Sequence, residues 1–173
     1  MYKRQEQDSP PTNQSAVPVP ASVYAKMFTQ TIRAIRAVDS KAKVITGGHV
    51  TGNALGVNYA RAALGQIPLD ATPDGIGVHP YMTGPMDSPF SIFGTINAAI
   101  QAWSGVLPNK PLWLTEWGIL DKQGNDSIVN DATAFADGFL DICLNDYRGM
   151  VACAVWYAWA DTCLLYTSTH RVC

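Results

Sequence analysis

The chain has 173 residues, which is enough for one domain with a hydrophobic core. Hydrophobic residues make up 47% of the sequence and charged residues 15%, a balance typical of a compact folded protein rather than a disordered one. The formal net charge is −2 and the basic residues are scattered, so the composition does not indicate a nucleic-acid partner. No apolar run reaches the length of a membrane span, so no membrane partner is expected.

The first predicted element is a helix, and strand-like runs then alternate with helical ones. Apolar residues spaced three and four apart predict an amphipathic helix that ends near Val38 and that Ser22 can cap. The predicted strands lie near residues 43–47, 75–80, 111–116 and 151–158, and the predicted helices at 58–65, 88–103 and 128–147. Strands that alternate with helices predict parallel βαβ units, so the fold class is α/β.

Two architectures have this order of elements: an open doubly wound sheet and a (β/α)₈ barrel. No Gly-rich phosphate loop follows a strand, which disfavours the nucleotide-binding form of the open sheet. Polar residues cluster at the carboxyl ends of the strands, where barrel enzymes build their active sites. These residues are His49, His79, Tyr81, Glu116 and Asp161. Because four strands are too few to close a barrel, we expect a partial (β/α)₈ TIM barrel, roughly strands five to eight with their helices.

The run KPLWLTEWGIL carries a single acid, Glu116, among large apolar residues. A carboxylate in such surroundings is costly unless it is paired or hydrogen-bonded. Side chains alternate faces along a strand, so Leu112, Leu114 and Glu116 are predicted to share one face. If that face points into the barrel, the two leucines fill its interior and Glu116 lies at its mouth. His79 and Tyr81 share a face at the end of the preceding strand and can reach the same mouth. A carboxylate held there by directed hydrogen bonds suits a nucleophile.

Three runs, GVHPY, LWLTEWG and AVWYAW, lie on consecutive βα units and resemble the last three strands of clan A glycoside hydrolases. The resemblance implies a (β/α)₈ barrel with a nucleophilic Glu at the end of strand seven, which Glu116 matches. It implies a substrate-binding pair on strand six, which His79 and Tyr81 match. It also implies a sugar-stacking Trp on strand eight, which Trp156 or Trp159 matches.

The same resemblance implies a general acid/base Glu at the end of strand four. Glu6 in QEQDSP matches it, with Gln5 and Gln7 where the family has Asn and Pro. A retaining mechanism is implied, in which Glu6 protonates the glycosidic oxygen while Glu116 forms a covalent glycosyl-enzyme; the two carboxyl groups of such a site lie about 5–5.5 Å apart. Trp117 is a further substrate-binding candidate, with packing as the alternative. The implied substrate is a polysaccharide or oligosaccharide, with no cofactor and no metal.

The resemblance covers residues 6–161, which we interpret as the C-terminal half of a glycosidase catalytic domain. Residues 1–5 and 163–173 resemble translated adapter or vector sequence and are expected to be non-native. The expected partner is the missing N-terminal half-barrel of the same protein, because a half-barrel exposes unpaired strand edges and lacks half of its site. The cysteines form no Cys-x-x-Cys pair and are expected to be isolated thiols or an incidental pair, so they do not indicate a compartment.

Two other functions remain open from the sequence. His49, His79 and Asp161 end three predicted strands, a placement that resembles the ligands of metal-dependent amidohydrolase barrels, although nothing in that family explains TEWG. The other alternative is a non-catalytic carbohydrate-binding barrel, or a fragment that is inactive alone. The sequence does not predict which glycan is cleaved, or whether the cleavage is endo or exo.

Overall fold

A computed structural model of the chain describes residues 19–50, 54–83, 100–120 and 128–156. The two ends that the sequence predicts to be non-native lie outside these ranges. No helix within the ranges is both long and apolar enough to cross a membrane.

The described helices confirm the helical pattern of the sequence. Their bounds are Ala21–Val38 for α1, Ala54–Leu64 for α2, 100–104 for the described part of α3, and Ile128–Asn145 for α4. A 3₁₀ turn at Leu69–Ala71 follows α2. Ser22 is not the N-cap of α1, because the helix begins directly after Pro20 and no side-chain hydrogen bond caps it. The Pro20 carbonyl instead accepts the first helical N–H groups, those of Val23 and Tyr24.

The described strands form one parallel arrangement in chain order. Their bounds are His49–Val50 for β1, Ile76–His79 for β2, Tyr81–Thr83 for β3, Leu112–Leu120 for β4 and Val151–Trp156 for β5. Each pairing among them is parallel: β1 with β2, β2 and β3 with one edge of β4, and β5 with the other edge. Pro80 divides β2 from β3, since proline has no N–H for the ladder. The parallel α/β fold predicted from the alternation of strands and helices is confirmed.

One face of the sheet packs against the helices. Ile76 and Val78 of β2 and Leu112 and Leu114 of β4 are at most 1% exposed. They form one core with residues of α2, α3 and α4, namely Ala60, Ile100, Trp103 and Phe139. The two leucines of β4 therefore face the helices, and the prediction that they fill the barrel interior is wrong.

The strand predicted near residues 43–47 is not formed, and β1 is the first strand within the described ranges. The segment still runs beside the start of β2, since the Asp74 N–H donates to the Val44 carbonyl at 2.7 Å. The Thr46 N–H likewise donates to the Gly75 carbonyl at 3.2 Å, but side chains bind other backbone groups of the two segments. The Val44 N–H donates to the Asp74 carboxylate at 2.9 Å, and the Gly77 N–H donates to Thr46 Oγ1 at 3.0 Å. Such local side-chain bonds compete with a regular ladder and explain the missing strand.

Asp74 also ties this segment to α1. Its carboxylate accepts a hydrogen bond from Arg36 at 3.1 Å, and the Lys43 ammonium lies 3.9 Å away. Burial acts to raise the pKa of Asp74, but the Val44 N–H, Arg36 and Lys43 outweigh it, so the pKa lies below its ordinary value. A carboxyl whose pKa falls on folding stabilises the folded state above its unfolded pKa, and that contribution is lost as the pH falls through the folded pKa.

We expect Asp74→Asn to lower the free energy of unfolding by about 1–2 kcal/mol at pH 7 and to flatten the loss of stability below about pH 4. Urea titrations across this pH range measure both effects. Asp70→Asn is the matched control: Asp70 pairs with Arg33 at 2.8 Å, but both side chains are more than half exposed, so the loss is expected to be smaller. Equal losses for the two variants at pH 7 would contradict the role given to Asp74.

Candidate active site

The strand β4 contains one extra residue after Leu114. Between Leu114 and Gly118, β4 advances by four residues while the neighbouring β2–β3 segment advances by three. Between Leu114 and Trp117, it advances by three residues while β5 advances by two. Both neighbours thus show the same β-bulge at residues 115–116. A bulge interrupts the alternation of faces, so two consecutive side chains can lie on one side of the sheet.

The bulge brings Thr115 and Glu116 to the side of the sheet opposite the helices, where both contact His79. The Thr115 Oγ1 atom lies 2.9 Å from His79 Nε2, and Glu116 Oε2 lies 3.7 Å from His79 Nδ1. Glu116 is 8% exposed and His79 4% exposed. Glu116 therefore reaches His79 through a bulge, and not through the unbroken alternation that the sequence predicts.

The ring of His79 also lies against Gly48, just before β1. A Cβ atom added at Gly48 would come within 2.0 Å of His79 Nε2, so a glycine is needed there to leave room for the ring. The imidazole is thus held between the chain at Gly48 and the bulge of β4. A buried His beside a carboxylate can supply a proton or a hydrogen bond to it, and this relieves the penalty of burying the charge of Glu116.

The tryptophans of β4 and β5 pack with the helix-side core. Trp117 is 1% exposed, and its ring centroid lies 4.4 Å from that of Phe139 on α4. Trp156 meets Trp117 edge to face, with centroids 4.7 Å apart, and packs on the same core. This placement does not support the predicted contact between Trp117 and a sugar and agrees with its alternative, packing. The substrate-binding role of Trp156 stays a prediction.

His49 lies on the opposite face from His79. It is the register partner of Val78, and its ring stacks on Trp103 of α3 with centroids 4.9 Å apart. His79 follows Val78 in β2, so its side chain points to the other face. The structure does not bring His49 and His79 together, which argues against the metal alternative built on His49, His79 and Asp161. Within the described part of the chain, no three His, Cys, Asp or Glu side chains are grouped as a metal site would require.

The remaining predicted site residues are described by their backbone alone or lie outside the described residues. Tyr81 opens β3, and its backbone pairs in register with Gly118 of β4. Glu6, Trp159 and Asp161 lie outside. Their functional roles stay predictions.

Sequence reasoning misses two residues of the site. Strict alternation assigns Thr115 to the face away from Glu116, because a bulge has no clear signal in TEWG. Gly48 lies just beyond the strand predicted near residues 43–47 and is not among the predicted site residues. The available signal was the pair of glycines itself, since glycine near a strand end often marks a close approach of another group.

Comparison with known proteins gives a family and a fold. A family model described as the glycosyl hydrolase catalytic core matches residues 8–165. No curated protein sequence matches the chain.

Three solved glycosidase structures are similar to the chain. The GH51 α-L-arabinofuranosidase from Thermotoga petrophila matches with a TM-score of 0.63 and 15% identity, over 82% of this chain and 31% of that one. The GH128 subgroup V exo-β-1,3-glucanase from Cryptococcus neoformans matches with a TM-score of 0.60 and 16% identity, over 88% and 54%. The GH128 subgroup VI exo-β-1,3-glucanase from Aureobasidium namibiae matches with a TM-score of 0.56 and 14% identity, over 83% and 52%.

The matches cover this chain more completely than they cover the three solved structures. The chain spans about half of the two glucanases and about a third of the arabinofuranosidase, while most of the chain itself is covered. At these identities the similarity shows the fold, which is part of a TIM-barrel glycosidase. The expectation of a partial (β/α)₈ barrel is confirmed.

Proposed function

Because the chain belongs to the glycosyl hydrolase catalytic core family, we propose that it carries the nucleophile of a retaining glycosidase. In this proposal Glu116 attacks the anomeric carbon and forms a covalent glycosyl-enzyme, which water then hydrolyses. The observation that carries the proposal is the Glu116 carboxylate, which is almost fully buried and lies 3.7 Å from His79 at the carboxyl end of β2, while β4 itself continues to Leu120. Barrel enzymes place their catalytic groups at this end.

The surroundings of Glu116 suit a carboxylate that must stay charged until it reacts. Hydrogen bonds to the charged form of a carboxyl favour ionisation, and His79 Nδ1 is placed to donate one. The present distance of 3.7 Å is longer than a hydrogen bond, but catalytic hydrogen bonds are often long before substrate binds and shorten in the complex. Low exposure limits competition by water for the same carboxylate.

We assign the general acid/base to Glu6 on the resemblance of QEQDSP to the family motif. It protonates the leaving oxygen in the first step and activates water in the second. The two carboxyl groups then lie about 5–5.5 Å apart in the assembled site, because a retaining mechanism leaves no room for water between nucleophile and sugar.

The proposed substrate is a polysaccharide or oligosaccharide. Two of the similar structures are exo-β-1,3-glucanases and one is an α-L-arabinofuranosidase. We therefore place β-1,3-glucan oligosaccharides first and arabinofuranosides second among the substrates to assay.

We also propose that residues 6–161 form the C-terminal half of the catalytic domain, with the other half supplied by further chain. Within the described sheet, β1 and β5 each pair along one edge only, as the outer strands of a half-barrel do. One side of α1 presents exposed apolar residues, as a helix does when a neighbouring helix is to cover it. These residues are Val23, Met27, Ile35 and Val38.

The nucleophile is tested by trapping it in the complete barrel, that is, with the preceding half of the parent domain present. A 2-deoxy-2-fluoro glycoside with a good leaving group slows hydrolysis of the glycosyl-enzyme more than its formation, so the intermediate accumulates. Peptide mass spectrometry is expected to find the sugar on Glu116. A sugar on another carboxylate would move the nucleophile there, and steady turnover of the reagent without any adduct would reject the retaining mechanism.

A further inference from the structure

The imidazole of His79 makes contacts through both of its nitrogens, and to consecutive residues of one strand. Nε2 lies 2.9 Å from the hydroxyl oxygen of Thr115, and Nδ1 lies 3.7 Å from a carboxylate oxygen of Glu116. The bulge makes this possible, because in a regular strand Thr115 and Glu116 would point to opposite faces.

These two contacts select one neutral form of the ring. A carboxylate only accepts hydrogen bonds, whereas a hydroxyl can donate or accept. A proton on Nδ1 faces the Glu116 carboxylate favourably and leaves Nε2 as an acceptor for the Thr115 hydroxyl. With the proton on Nε2, the Nδ1 lone pair would face the carboxylate instead, and two negative regions would oppose each other.

We propose that Thr115 is a positioning residue: its hydroxyl donates to His79 Nε2 and so holds the ring with the proton on Nδ1, directed at Glu116. Gly48 leaves the space in which the ring takes this orientation. Which nitrogen of a His carries the proton is commonly set by the hydrogen bond that the other nitrogen makes. Thr115 thus acts on the carboxylate through His79.

The catalytic consequence of this arrangement rests on the proposed role of Glu116, but the arrangement itself does not. An Nδ1 proton held toward Glu116 helps to keep the carboxylate charged and correctly oriented for attack. In Thr115→Val, the donor is lost while the side chain keeps its shape. The ratio of the two neutral forms of His79 is then expected to shift about fivefold toward the Nε2–H form, the size that one neutral hydrogen bond supplies.

The experiment is a ¹⁵N imidazole spectrum of the chain labelled with ¹⁵N-histidine, recorded at about pH 9, where an ordinary imidazole is neutral. His79→Gln identifies the His79 signals among those of the three histidines. We expect Nδ1 to appear as a protonated nitrogen and Nε2 as an unprotonated acceptor. Thr115→Val is expected to move both resonances toward the averaged position of a mixed ring, and Thr115→Ser, which keeps the hydroxyl, is expected to restore the parental spectrum.

Circular dichroism establishes that each variant is folded before its spectrum is interpreted. A protonated Nε2 in the parent chain overturns the proposal, as does a Thr115→Val spectrum identical to the parental one. If Thr115→Val does not fold, Thr115→Ala supplies the variant without the hydroxyl, and a spectrum of it identical to the parental one overturns the proposal. The spectrum does not depend on activity, so a failure here is distinct from a failure to trap a sugar on Glu116.

Discussion

Replacing Glu116 by Gln is expected to abolish glycosidase turnover in the complete barrel while leaving the fold unchanged. Gln keeps the shape of the side chain but loses the charge that attacks the anomeric carbon. The loss is expected to be on the order of 10⁴-fold or more in kcat, the scale seen when a group that acts in the transition state is removed. The assay uses an activated aryl glycoside, and the melting temperature of each protein is the control for folding.

Glu6→Ala provides the contrast, because the two carboxylates are proposed to act differently. An aryl leaving group needs little protonation, so the first step is expected to survive the loss of Glu6. The second step lacks its base, and external azide is expected to restore turnover by replacing water as the nucleophile. Azide is expected not to restore Glu116→Gln in the same way, since that variant forms no glycosyl-enzyme.

Three outcomes would overturn parts of this assignment. Near-parental rates for Glu116→Gln would make Glu116 a structural acid. Glu6→Ala rates unaffected by leaving group and by azide would remove Glu6 from the acid/base role. Loss of parental activity with a chelator and its return with zinc would favour the metal-dependent alternative instead.

Gly48→Ala is expected to displace His79 and to destabilise the protein. The added Cβ would lie 2.0 Å from Nε2 and 2.3 Å from Cε1 of the ring, so the ring or the chain must move. Overpacking of this kind costs about 1–3 kcal/mol. Because His79 is the neighbour of Glu116, kcat in the complete barrel is expected to fall together with the melting temperature.

Gly47→Ala is the matched control in the same glycine pair. Its added Cβ would meet only the Tyr24 hydroxyl, at 3.8 Å, which is ordinary contact. We expect a melting temperature within about 2 °C of the parent, corresponding to less than about 0.5 kcal/mol. If Gly47→Ala and Gly48→Ala lose stability equally, backbone freedom rather than room for His79 is the reason for the glycines.

The fold was predictable because the alternation of strands and helices extends over many residues. One wrongly predicted element therefore does not change the fold class. The helix-side core follows from this order of elements, since it joins apolar residues of β2 and β4 with residues of α2, α3 and α4. The predicted strand near residues 43–47 failed for a local reason, because Asp74 and Thr46 take over backbone partners through their side chains.

The site was predictable only in part. The sequence marks Glu116 and His79 by their chemistry and by their position at strand ends. It assigns them to a shared mouth by alternation, yet alternation puts Leu112 and Leu114 on the wrong face. A bulge depends on how β4 pairs with both neighbouring strands, and a single strand's pattern carries no record of that pairing.

The extra residue of β4 affects how the sequence of this strand should be aligned with other sequences. Leu114 and Trp117 lie with the helix-side core, and Glu116 lies beside His79 on the other side of the sheet. Deleting Thr115 would leave these three residues in regular alternation, with every side chain on its present face. Thr115 is therefore the residue whose removal would leave the acid on its present face. A sequence with a gap at this position would keep the acid and the tryptophan on their present faces but would lack the hydroxyl, so the histidine on the preceding strand would need another partner.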